Sequence, residues 1–200
     1  MNLYPLGKTL CKTWFSLFTR VTVIGKENIP DDGPVLLCSN HISNMDPPFV
    51  GSFMKRRIHF MAKEELFNKR VLGRLLPSLG AFPVKRGVGD RQALRKGLSL
   101  LEKGEVLCLF PEGTRSKTGE IGEGLSGSGF FALRSKAEVV PVVIFGPYKP
   151  LGKVAVVYGK PMNFQTLRDE KVSAAKATEK IMESIQELKD KHIETVINNE

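Results

Sequence analysis

Asn40-His41-Ile42-Ser43-Asn44-Met45-Asp46-Pro47-Pro48 is a polar, loop-forming cluster that follows directly on the apolar run Val35 to Ser39. An imidazole in such a place accepts a proton from an alcohol, while a carboxylate five residues on, brought back by a tight turn, holds the other ring nitrogen's proton. Spacing alone leaves two readings open: a base with its orienter, or a turn that satisfies a structural histidine. A second segment, Gly80-Ala81-Phe82-Pro83-Val84-Lys85-Arg86-Gly87, presents adjacent cations at the end of a short strand. A guanidinium pairs bidentately with phosphate oxygens and keeps its charge, so Arg86 suits phosphate anchoring better than Lys85; an exposed basic turn is the alternative. The third segment, Phe110-Pro111-Glu112-Gly113-Thr114-Arg115-Ser116, joins a carboxylate, a glycine that permits close backbone approach, a hydroxyl and a guanidinium. These suit a polar, anionic group, with Glu112 orienting Arg115 or Arg86 or bonding a substrate hydroxyl, unless the segment is an ordinary salt-bridged loop.

Such residues act together only on a scaffold that gathers them. Short apolar runs at 21–24, 35–39, 58–62, 81–84, 106–110, 139–145 and 154–158 read as strands. Helical spacing between them, at 47–56, 66–79, 90–103, 130–135 and 172–197, predicts an α/β sandwich with a largely buried mixed or parallel sheet. In such sheets ligands collect at the carboxyl ends of the strands, which is where all three polar segments fall. Asp90 is placed to cap one helix and Gly104 to end it, and the last helix turns Ala174, Ala177, Ile181, Ile185, Leu188 and Val196 inward.

Residues 3–21 carry Leu3, Leu6, Leu10, Trp14, Leu17, Phe18 and Val21 at steps of three or four, with Lys8, Lys12 and Arg20 off that stripe. A basic amphipathic helix of this kind either lies in a membrane interface or packs on the domain's own core. The same choice applies to Leu66, Phe67, Val71, Leu72, Leu75, Leu76 and Leu79, accompanied by Lys69, Arg70 and Arg74. The expected organisation is a membrane-associating helix over 1–22 and one domain over 23–200.

Composition narrows the class of partner. The chain of 200 residues has a formal net charge of +9, and the whole excess is N-terminal: residues 1–100 hold 16 Lys/Arg against 7 Asp/Glu, and residues 101–200 hold 14 of each. A one-sided basic field favours an anionic partner. No apolar run approaches the roughly 18 residues that a bilayer span needs, and the N-terminus shows no small-residue cleavage pattern, so the protein is expected in the cytoplasm or on the inner membrane face. Cys11, Cys38 and Cys108 match no metal or redox spacing, and His41, His59 and His192 are scattered, so no metal or other cofactor is expected. Aromatics do not alternate with arginines on the strands, which argues against nucleic acid. Gly122-x-Gly124-x-x-Gly127 lacks the preceding strand of a dinucleotide site, and no Gly-x-Ser-x-Gly elbow offers a serine nucleophile.

Taken in order, the three segments and Val140-Pro141-Val142 resemble the conserved blocks of the glycerolipid acyltransferases of the lysophosphatidate (1-acylglycerol-3-phosphate) type. Asn40-His41 with Asp46 is similar to their His-x4-Asp block, Phe82 to Arg86 to their second and Phe110 to Ser116 to their third. The resemblance implies transfer of an acyl group from acyl-CoA or acyl carrier protein to the sn-2 hydroxyl of lysophosphatidate, giving phosphatidate. His41 would then be the base, Asp46 its orienter, and Arg86, Glu112, Gly113, Thr114 and Arg115 the phosphate-binding set. An anionic membrane surface becomes an expected partner, with the protein peripheral or monotopic on the cytoplasmic face of the cell membrane. Many such enzymes carry a basic, aromatic stretch after the third block where this chain has Gly124-Leu125-Ser126-Gly127-Ser128-Gly129-Phe130-Phe131, and its N-terminus is shorter than in those with long apolar leaders. The first difference loosens the inference about the donor, and the second favours attachment to one leaflet. The rival readings are the same chemistry on glycerol 3-phosphate or another lysolipid, and a non-catalytic basic protein that binds anionic membranes.

Overall fold

The continuous apolar run Val35–Ser39 has no polar side to turn to water, so it can be satisfied only at the centre of a sheet covered on both faces. That is where the computed structural model, which describes residues 3–85, 87 and 89–198, places it. Strands β1 (Arg20–Ile24), β2 (Val35–Ser39), β3 (Ile58–Lys63), β4 (Ala81–Val84), β5 (Val106–Leu109), β6 (Glu138–Phe145) and β7 (Lys153–Tyr158) form one sheet in the order β1-β7-β6-β2-β5-β3-β4. All neighbours are parallel except β6 and β7. β2 lies in register between β5 (Leu36 beside Leu107) and β6 (Leu37 beside Val140).

Alternation along the strands divides the core into two layers. Leu36, Cys38, Leu107, Val139 and Val143 face α5 (Arg91–Glu102), α6 (Gly127–Arg134) and α8 (Ala174–Asn198), which supply Leu101, Phe131, Ala177, Ile181 and Ile185. Val35, Leu37, Val140, Val142 and Val156 face α1 (Tyr4–Phe18) and α2 (Asp46–Phe53), which supply Phe15, Phe49 and Val50. Asp90 caps α5 by accepting from the Gln92 and Ala93 amides at 3.0 and 3.1 Å, and Gly104, at φ +76°, takes the left-handed conformation that ends it.

Two local outcomes differ from the sequence expectation. The stripe over 66–79 is not one helix: it breaks into α3 (Glu64–Phe67) and α4 (Leu72–Ser78), and a short helix α7 (Gln165–Asp169) appears before α8. The glycine- and serine-rich segment begins α6 instead of remaining a loop, because its glycines let α6 approach α8. A Cβ on Gly129 would collide with the Ala174 carbonyl oxygen, and the Gly129 amide donates to Thr178 Oγ1 at 3.0 Å.

For α1 the sequence left two readings, interface or core. Its expected stripe points outward: Leu6, Leu10, Trp14, Leu17 and Phe18 are all exposed, Leu17 at 69%. The helix is seated instead by Phe15, fully buried, and by Tyr4, whose hydroxyl accepts the Ile58 amide at 2.9 Å. Its end is tied to the segment after β6 by bonds from the Leu151 amide to the Phe18 carbonyl (2.7 Å) and from the Arg20 amide to the Gly152 carbonyl (2.9 Å). α1 also abuts the end of α4, since a Cβ on Gly7 would meet Leu79 Cδ2 at 2.6 Å. Val71 at 73% and Leu75 extend the exposed apolar surface on that side, with Lys69, Arg70 and Arg74 exposed around them. Among the described residues, no helix is long and apolar enough to cross a membrane.

Candidate active site

β2 ends at Ser39 and the chain turns over the carboxyl edge of the sheet through Asn40 and His41. Asn40 is the clamp that holds the turn to β6: its Nδ2 donates to the Ile144 carbonyl at 3.0 Å and its Oδ1 accepts the Ile144 amide at 2.7 Å. Asp46 is the first residue of α2, where Pro47 and Pro48 cost no helix hydrogen bond and the helix dipole favours a carboxylate. The turn brings Asp46 Oδ2 to 2.7 Å from His41 Nδ1, and the same oxygen accepts the Ile42 and Ser43 amides at 2.7 and 2.8 Å.

That arrangement determines which imidazole nitrogen can react. Asp46 is wholly buried and, ionised, can only accept, so Nδ1 carries the ring proton and Nε2 keeps its lone pair. The ring is pinned from one side by Phe110, stacked at 4.1 Å between centroids with 21° between planes. His41 retains only 9% exposure.

The loop after β5 is fastened to the same turn. Ser116 donates its amide to the His41 carbonyl at 2.7 Å. Glu112, itself buried, receives the His41 amide on Oε1 at 3.0 Å and the Gly122 amide on Oε2 at 3.1 Å. Both of its oxygens are occupied by main chain and, among the described residues, it forms no ion pair with Arg115. These bonds make Glu112 a brace that joins three segments of the site. Gly113, at φ +65°, turns the loop, and Thr114 and Arg115 are exposed just before the residue whose amide bonds the His41 carbonyl.

Lys85 follows β4 at the same edge of the sheet, its amide donated to Asp90 Oδ2 at 3.0 Å. Main-chain donation from Lys85, Ala93 and Gln92 holds the Asp90 carboxyl below the usual carboxylate range. Arg86 lies outside the described residues. Sequence reasoning named His41, Asp46, Glu112, Gly113, Thr114 and Arg115, which fall on two fastened loops. It missed Asn40 as a clamp and Phe110 as the stacking surface, although both stand inside segments it singled out.

The site is thus a buried Asp–His pair at the carboxyl edge of a mainly parallel sheet, an arrangement suited to base-assisted group transfer. The acyltransferase family profile matches residues 20–145, and the chain belongs to that family. It is 32% identical to the 1-acyl-sn-glycerol-3-phosphate acyltransferase of Bacillus subtilis over 94% of this chain and 98% of that one. It is 31% identical to a chloroplastic enzyme of the same name from Arabidopsis thaliana over 77% of this chain and 48% of that longer one. The crystal structure of the 1-acyl-sn-glycerophosphate acyltransferase PlsC from Thermotoga maritima superposes with a TM-score of 0.73 at 28% identity, covering 94% of this chain and 80% of that one.

Proposed function

We propose that the protein transfers a fatty acyl group from an acyl thioester, acyl-CoA or acyl carrier protein, to the sn-2 hydroxyl of 1-acyl-sn-glycerol 3-phosphate, giving phosphatidate. The observation that carries this reading is the 2.7 Å bond from His41 Nδ1 to a fully buried Asp46, which leaves Nε2 as the available base. As the hydroxyl oxygen attacks the thioester carbonyl, Nε2 takes its proton, and Asp46 stabilises the imidazolium that forms. The new C–O bond replaces the C–S bond, and the departing thiolate recovers the proton from the imidazolium. Bound geometry does the remainder, and no covalent acyl-enzyme is required.

The acceptor's phosphate is assigned to Arg115, with Gly113 and Thr114 shaping its approach. The strand order supports this choice. β5 is the immediate neighbour of β2, whereas β4 lies three strand spacings away, about 14 Å at ~4.8 Å each. In the acceptor, the reacting hydroxyl and the phosphate are on neighbouring carbons, so a ligand near His41 is needed.

The surface formed by Leu6, Leu10, Trp14, Leu17, Phe18, Val71 and Leu75, bordered by exposed Lys12, Lys69, Arg70 and Arg74, is proposed to rest on an anionic leaflet. Both acceptor and product are lipids, so an enzyme held at that surface meets them where they reside.

The test is acyl transfer by purified protein in mixed micelles, with acyl-CoA and acyl carrier protein offered separately and His41→Ala in parallel. Phosphatidate formation that drops roughly 10²- to 10⁴-fold in a folded His41→Ala variant is expected. Equal rates from the two proteins would remove His41 as the base, and turnover of glycerol 3-phosphate in preference to the lysolipid would change the acceptor.

A further inference from the structure

Two buried polar atoms near the base have no hydrogen-bond partner: Asp46 Oδ1 and the Tyr148 hydroxyl. Asp46 gathers three donors on Oδ2 and leaves its other oxygen bare, although the residue has no solvent exposure at all. A buried carboxylate oxygen without a donor is costly, and so is a buried hydroxyl without an acceptor. The two deficits are complementary, because one atom needs a proton donor and the other has a proton to give.

Tyr148 is set in place from three sides. Its ring meets Phe15 of α1 at 5.9 Å and Phe49 of α2 at 5.7 Å between centroids, the latter edge-on at 83°. Its main chain follows β6, which Asn40 clamps to the catalytic turn. Burial pushes the phenol far above its ordinary pKa, and the Asp46 carboxylate, the charged group it faces, pushes it further in the same direction. The hydroxyl therefore keeps its proton at any pH the enzyme meets.

We propose that Tyr148 is a positioning residue for the reaction: its hydroxyl donates to Oδ1 of Asp46, completing the chain Tyr148 to Asp46 to His41, with Phe15 and Phe49 aiming the ring. The phenol faces the Asp46 carboxylate directly. With both oxygens engaged, the carboxylate cannot turn away from His41, and its charge is shared between the imidazole and the phenol. The role rests on His41 acting as the base.

The expected sign follows from the charge of the pair. With neutral His41 the buried Asp–His pair carries one negative charge, and a phenol donor stabilises that state against the protonated one. Removing the hydroxyl makes proton uptake by the pair easier, so the acid limb of kcat/KM moves to higher pH. The other titratable groups around the pair are Glu112, bonded to the His41 amide, and the Cys108 thiol on β5, raised by burial and then by Cys38 and Asp46. Neither depends on Tyr148, and the remaining neighbours, Phe15, Phe49 and Phe110, do not titrate.

Tyr148→Phe keeps the ring and its packing while deleting the donor. The experiment measures kcat and KM for lysophosphatidate and the pH dependence of kcat/KM for wild type and Tyr148→Phe, with thermal melting of both and the activity of His41→Ala alongside. A roughly fivefold lower kcat, an unchanged KM and an acid limb raised by about half a unit to one unit support the proposal. An acid limb and kcat equal to wild type overturn it, as does a lower Tm with an unmoved acid limb, which would reduce Tyr148 to packing. Activity retained by His41→Ala would instead overturn the base assignment on which the role depends, so the two failures are separable.

Discussion

Arg115 illustrates how much a single side chain's surroundings decide. It is exposed and one residue from the Ser116–His41 bond, while the neighbouring Glu112 braces main-chain amides. Arg115→Lys keeps the charge and loses the planar fork, so KM for lysophosphatidate should rise about tenfold, with a smaller fall in kcat, as steady-state kinetics with varied acceptor will show. At this scale the catalytic pair was legible in the sequence, because histidine and aspartate lie on one short turn whose closure brings them together. The duty of Glu112 was not. Its partners come from residues 41 and 122, and main-chain donors leave no mark on residue type. Tyr148 was equally hidden, since its relation to Asp46 exists only after β6 and α2 have packed.

Among the elements, β2 and its turn depend on one amide side chain. Asn40 satisfies both main-chain groups of Ile144, and both bonds are buried. Asn40→Ala strands them and should lower stability by about 2–3 kcal/mol, read as a lower urea midpoint at an unchanged m value. The strands themselves were legible almost to the residue, because buried apolar runs bounded by glycine, proline and charge admit little else. α1 was legible as a helix but not in its orientation. An apolar stripe says that a face avoids water without saying what covers it, and here Phe15 and Tyr4, off the stripe, do the seating. The split of 66–79 into α3 and α4 escaped notice for a related reason: leucines at helical spacing do not reveal a turn between them.

For the molecule as a whole, the exposed apolar face and the basic residues around it predict a measurable attachment. Leu10→Glu with Leu17→Glu should reduce co-sedimentation with phosphatidylglycerol vesicles at least tenfold and leave Tm within a few degrees, since both side chains are already in solvent. Binding by wild type should weaken with salt and on phosphatidylcholine vesicles, because the basic border contributes on the order of 1 kcal/mol per cation near an anionic surface. The strand order has a further consequence, one of timing. β2 carries the base, yet its neighbours begin at Val106 on one side and Glu138 on the other. Closing a sheet across such sequence distances is slow compared with forming a helix. During synthesis α1 leaves the ribosome long before β5 and β6 exist to complete the catalytic turn. The N-terminal helix is therefore available to a surface before the base and its orienter are held in place.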